Sequence, residues 1–96
     1  MNMEHLLQNI DKASVLLKAM SNESRLAILT HLSRGEKSVK EIEDLIGLSQ
    51  SALSQHLARL RRDNLVKTRR QAQRIFYSLN GSSALAVMVT LRDLSK

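Results

Sequence analysis

Four short polar side chains, Gln50, Ser51, Ser54 and Gln55, sit within "LSQSALSQHLARLRRDNLV", ahead of Arg59, Arg61 and Arg62. On a helix turning about 100° per residue they form a stripe roughly 140° wide. A glutamine amide both donates and accepts, so it can pair with N6 and N7 of adenine, and a serine hydroxyl can meet either kind of base edge. Neither carries a charge that would hold it to phosphate whatever the sequence. These residue types discriminate between bases. The arginines that follow suit the phosphate backbone, which sets register but carries no sequence information. Leu53, Leu57 and Leu60 fall within about 60° of one another and must anchor the same helix to a core. His56 lies on the flank of that apolar stripe and is assigned to packing.

The charge balance points the same way. The chain has 96 residues with fifteen Lys/Arg against nine Asp/Glu. Arg59, Arg61, Arg62, Lys67, Arg69, Arg70 and Arg74 crowd into one stretch whose only acid is Asp63. Clustered cations release counterions from an anionic polymer; the plain alternative is a solvated face. Other chemistries are poorly served. With no cysteine there are no disulfides, thiolate metal sites or thiol redox steps. There is no Gly-x-Ser-x-Gly, no phosphate-binding loop and no plausible carboxylate pair, so no enzyme is expected. His5, His31 and His56 have no metal-like spacing. "MNMEHLLQ" lacks a basic leader pattern, and no run reaches 18 apolar residues, so the expectation is a cytoplasmic protein without a membrane span.

The elements that must position these residues are mostly helical. A chain this short buries only about 60–65% of its unfolded surface. Phe76 and Tyr77 are its only aromatics, so the core must be aliphatic. Residues 5–20 carry Leu6, Ile10, Ala13, Leu17 and Met20 at helical period, with Leu7 and Leu16 off that stripe. Ser21 or Asn22 can cap a second helix, "ESRLAILTHLSR", which Gly35 ends. Ser38 and Glu41 form a capping box on a third, "VKEIEDLI". Gly47 closes it, Ser49 caps the fourth, and Asn64 suits a left-handed end. Two helices joined by three residues including a glycine, the second polar-faced, make a helix-turn-helix signature. "LVKTRR" and "RIFYSL", separated by "QAQ", read as a basic hairpin, and Ser82 or Ser83 can cap a last helix, "ALAVMVTLRDLS". That helix has almost no polar face, so it must be covered on all sides. Its surplus and that of the first helix imply a homodimer in which the two cover each other. Lys67 and Arg74 suit phosphate; Arg70 or Gln71, near the hairpin tip, suits the minor groove.

"LLKAMSNESRLAIL", "LSQSALSQHLARLRRDNLV" and "TRRQAQRIFYSL", in this order and spacing, resemble ArsR/SmtB-type winged helix-turn-helix transcriptional regulators over about residues 12–95. The resemblance is greatest to the non-metal branch of haemolysin, biofilm and nodulation regulators. It implies a mainly α fold of four helices, a two-stranded wing and a fifth helix, dimerised through the first and last. It places the base readers at Gln50, Ser51, Ser54 and Gln55, and wing contacts at Arg70 and Gln71. The family's thiolate metal positions fall on Ser38 and Lys40. Residues 64–96 hold no histidine and one acid, Asp93, too few for the family's zinc site in the last helix. The cysteines by which some members sense oxidants align with Thr30 and with the Ser95-Lys96 end. No known type of inducer site, metal or cofactor is therefore expected, and no particular effector is indicated.

The expectation is one domain over residues 1–96, with dimerisation helices at about 5–20 and 83–95. It is a dimeric regulator, most simply a repressor, that binds an imperfect inverted repeat in double-stranded DNA. Ser49, Arg59, Arg62, Lys67, Arg69, Arg70, Gln71, Gln73 and Arg74 are expected to meet backbone or form the wing. Leu6, Leu7, Ile10, Leu17, Leu85, Met88 and Leu91 are expected at the dimer interface. The alternative is a winged-helix protein-interaction module without specific DNA binding. The operator, the genes controlled, the sign of regulation and any signal are not written in these residues.

Overall fold

The computed structural model describes residues 2–95; Met1 and Lys96, which the expected domain and the aligned C-terminal position include, lie outside the described residues. The element order is α1 (Glu4–Gln8), α2 (Ile10–Met20), α3 (Glu23–Leu32), β1 (Lys37–Ser38), α4 (Val39–Ile46), α5 (Gln50–Arg62), β2 (Val66–Gln71), β3 (Arg74–Leu79) and α6 (Ser83–Leu94).

The caps expected from local sequence form. Asn22 accepts the Arg25 N–H at the head of α3. Ser38 and Glu41 satisfy each other's backbone N–H groups at the head of α4. Gly47 ends that helix at φ 76°, where a side chain would be strained. Ser49 accepts the Ala52 N–H and opens α5. At the far end of α5, Asn64 adopts φ 64°. The Leu65 N–H bonds to the Leu60 carbonyl at 2.9 Å and the Asn64 N–H to the Arg61 carbonyl at 3.0 Å. This is a Schellman closure, and it buries Leu60 and Leu65 in the core. At the last helix neither Ser82 nor Ser83 acts as a side-chain cap: Ser82 takes the N-cap position without making the bond.

Three expectations are corrected. The first helix is not continuous over 5–20 but breaks at Asn9 (φ −121°). The Asn9 side chain donates to the His5 carbonyl at 2.9 Å, a local bond that competes with the helix ladder. Leu16, off the expected stripe, meets the core with Ala19 and Met20, whereas Leu6, Ile10 and Leu17 face outward, as the expected dimer interface requires. The period was legible, but which stripe is covered depends on the partners. Finally, the sheet has three strands, in antiparallel order β1-β3-β2, with Lys37 opposite Tyr77. A two-residue strand between a loop and a capping box leaves no periodic signal. The hairpin turn is shorter than "QAQ": Gln71 pairs with Arg74, leaving Ala72-Gln73 as the loop. Ala72 takes φ 56°, at a position where glycine is the usual choice.

Ile28, Leu29, Ile42, Leu53, Leu57, Leu60, Leu65 and Val66 form the centre of the core, so α5 is anchored by the three leucines assigned to it. The radius of gyration is 14.3 Å, against about 12.5 Å for a compact chain of this length. Much apolar surface is left open: Leu6, Leu7, Ile10, Val15 and Leu17 on one side, Leu85, Val89, Leu91 and Leu94 on α6.

Candidate nucleic-acid interface

Gln50, Ser51, Ser54 and Gln55 are all exposed on α5, on the side away from Leu53, Leu57 and Leu60. Ala58, Arg61 and Arg62 are exposed beside them. Ser54, Ala58 and Arg61 follow one another at i, i+4 and i+7, so they share a stripe. The period therefore reaches two residues that the polar-stripe reading left out. Arg61 adds a cation beside the polar stripe, and the methyl of Ala58 is of the kind that meets a thymine methyl. The last turn of α5 holds Arg59, Arg61 and Arg62, which complement the negative end of the helix dipole, while its first turn holds no acid that would repel phosphate.

The strands set the wing. Residues paired across an antiparallel ladder share a face. Val66, Thr68 and Arg70 lie on one face with Leu79, Tyr77 and Ile75; Lys67, Arg69 and Gln71 lie on the other with Ser78, Phe76 and Arg74. Ile75 and Tyr77 join Ser54, Ala58, Arg61 and Arg62 in lining one groove between wing and helix. Arg70 thus sits on the wing face turned toward α5, and its neighbour Gln71 on the opposite face. Gln73 is exposed in the turn between them.

Not every cation expected at the backbone is free. Asp63 takes Arg62 (Nε to Oδ1, 3.4 Å) and Arg59 (Nε to Oδ2, 3.7 Å), and the buried Arg59 Nε makes no hydrogen bond. Arg69 forms a two-pronged pair with Glu36, both contacts at 2.7 Å, and donates to Gln71 Oε1 at 2.9 Å. Hydrogen bonding to Arg69, with its charge, holds the Glu36 carboxyl below the usual range, and the same bond raises Arg69. Arg61, Lys67 and Arg70 make no ion pair among the described residues and are exposed. Ser49 keeps its hydroxyl hydrogen available while its oxygen caps α5.

Two further residues support the site and were not anticipated. Arg25 is 8% exposed and caps the end of α2, donating from Nε to the Ala19 carbonyl (2.6 Å) and from Nη2 to the Lys18 carbonyl (3.2 Å). Its Nη1 meets His56 Nδ1 at 3.4 Å, linking α2 to α5. Burial, then Arg59, holds the Arg25 pKa down; burial, then Arg25, lowers that of His56. His56 packs as expected, with a specific neighbour. An arginine inside the apolar run "SRLAIL" was the available signal. Glu36 is the second, an acid in a loop with nothing local to mark it.

Of the seven residues expected at a dimer interface, Leu6, Leu7, Ile10, Leu17, Leu85 and Leu91 are exposed. Met88 is half-buried against the core and accepts a hydrogen bond from the Thr30 hydroxyl (3.7 Å). No three His, Asp or Glu side chains among the described residues converge to hold a metal ion. No helix there is long and apolar enough to cross a membrane.

Residues 22–68 match the family model described as bacterial regulatory protein, arsR family. The chain is 52% identical over 94 residues to the transcriptional activator HlyU of Vibrio cholerae serotype O1, covering 98% of this chain and 87% of that protein. It superposes on the transcriptional repressor BigR from Xylella fastidiosa with a TM-score of 0.92 at 36% identity, covering 98% of this chain and 96% of that one. It also superposes on a homodimeric winged helix-turn-helix DNA-binding domain from Mycobacterium bovis with a TM-score of 0.82 at 26% identity, covering 96% and 85%.

Proposed function

This chain belongs to the arsR family of bacterial regulatory proteins, and on that premise we propose that it reads an imperfect inverted repeat in double-stranded DNA as a homodimer. It is a winged helix-turn-helix transcriptional regulator. Gln50, Ser51, Ser54 and Gln55 read base edges in the major groove. Arg61, Lys67 and Arg74 hold phosphate, and the wing tip at Arg70, Gln71 and Gln73 enters the adjacent minor groove. In a two-fold dimer the two copies of α5 enter successive major grooves about 34 Å apart. Residues 2–95 act as one unit, since α3, α5 and the wing share one core. Control works by occupancy: a dimer bound over a promoter excludes polymerase and represses, and one that displaces another repressor activates.

The observation that carries this reading is the division of α5. One side is fixed by three buried leucines and the other presents an uncharged polar stripe that leads into arginines. Uncharged readers contribute specificity and cations contribute affinity. The test starts with selection of bound fragments from the source genome, followed by Gln55→Ala binding to the recovered operator and to random DNA. Loss of a bidentate adenine contact should cost about 1–3 kcal/mol on the operator and little on random DNA. Equal losses on both would remove Gln55 from the readers. Absence of any recovered site would favour a protein-interaction module.

A further inference from the structure

Arg69 and Glu36 stand on opposite edges of the sheet. Arg69 is on β2, Glu36 immediately precedes β1, and β3 runs between them. To reach Glu36 the Arg69 side chain lies across β3, its guanidinium 4.5 Å from the ring centroid of Phe76. It ends in the two 2.7 Å contacts with both carboxylate oxygens, and Nη1 holds Gln71 at 2.9 Å. The strap therefore ties the outer wing strand to the loop that opens β1. That short strand leads directly into the capping box of α4, the first helix of the helix-turn-helix pair. The wing tip beyond Arg69 has no other tie to the body among the ion pairs and side-chain hydrogen bonds of the described residues.

We propose that Glu36 is a specificity-determining residue of the DNA site that acts without itself touching DNA. It acts through Arg69 in two linked ways. It fixes the attitude of the wing to α5, and it keeps Arg69 from adding a sequence-independent phosphate contact. A bidentate pair stacked on an aromatic ring fixes orientation as well as charge. Arg69, from its type and place in a basic hairpin, reads as a DNA contact; its geometry makes it a structural cation instead. The proposal rests on the regulator reading given above.

Glu36→Gln keeps the size of the side chain and removes the charge. Affinity for random DNA should rise, with less gain or a loss on the operator. The operator-to-random ratio should fall about fivefold, the scale of an exposed ion pair with its cation–π contact. The same change in an Arg69→Gln background should leave the ratio where Arg69→Gln alone puts it. An unchanged ratio, or an equal fall in both backgrounds, overturns the proposal, since either would mean that Glu36 does not act through Arg69. Amide hydrogen exchange of the free protein gives a second readout that needs no operator. Glu36→Gln should speed exchange in β2 and β3 relative to α5, and equal exchange overturns the strap. A wild-type chain with no preference among DNA sequences would sink the regulator site instead, and the exchange result would still decide the strap.

Discussion

Replacing Arg25 by methionine tests how α5 is held to α2. The guanidinium is 8% exposed and donates to the carbonyl of Ala19, itself fully buried, at 2.6 Å. A hydrogen bond from a charged donor contributes about 1.5–3 kcal/mol, and a buried carbonyl left without a partner costs about 1–3 kcal/mol. The bond to Lys18 counts for less, because that residue is exposed and water can replace the donor. Against this stands relief from burying a cation, which burial and the nearby Arg59 already disfavour. Methionine retains most of the aliphatic packing. The net loss is about 2 kcal/mol, or roughly 8–16 °C in Tm for a domain of this size. Urea denaturation at fixed protein concentration should show a lower midpoint with an unchanged slope. NMR titration should show the His56 pKa rising as its cationic neighbour is removed. A stability change below about 0.5 kcal/mol, with His56 unmoved, would refute the assignment of Arg25 as the link between α2 and α5.

Two further predictions concern the assembly and its pH response. Leu7 and Leu85 are 62% and 41% exposed on the two helices expected to pair, so Leu85→Glu should give a monomer by sedimentation and lose operator binding by at least about tenfold; a dimer of normal affinity would remove α6 from the interface. The folded protein holds the His56 pKa below the ordinary imidazole value of 6.5, chiefly by burial. Protonation therefore favours the unfolded chain: this stability is present above pH 6.5 and is lost as the pH falls through the lowered folded pKa. His56→Asn supplies an acceptor near the position of Nδ1 without titrating, so it should flatten the stability profile between about pH 7 and 5; parallel profiles would mean that His56 does not contribute.

What the sequence displayed were features decided within a turn or two of the chain. The capping box at Ser38, the left-handed Gly47 and Asn64, and the polar and apolar sides of α5 each follow from neighbours three or four residues apart. What it did not display depends on partners far away in sequence. Leu16 could be placed on the core face only by knowing what α2 packs against. Arg25 caps a helix six and seven residues upstream and touches His56, 31 residues downstream. Glu36 and Arg69 are 33 residues apart. The two-residue β1 exists because β3 is there to pair with it.

The basic stretch shows most clearly why composition and function need the fold between them. Its seven cations look alike in sequence, yet they divide into kinds. Arg59 and Arg62 share Asp63 at the end of α5, and Arg69 is strapped to Glu36. Arg61, Lys67, Arg70 and Arg74 form no ion pair among the described residues. Sequence-independent attraction scales with the number of phosphates neutralised, so a regulator with every cation free would bind everywhere more tightly and distinguish its operator less. Pairing some of them inside the protein turns charge into geometry. On the proposed reading it leaves the uncharged stripe at Gln50, Ser51, Ser54 and Gln55 a larger share of the binding energy, the share that would separate one DNA sequence from another.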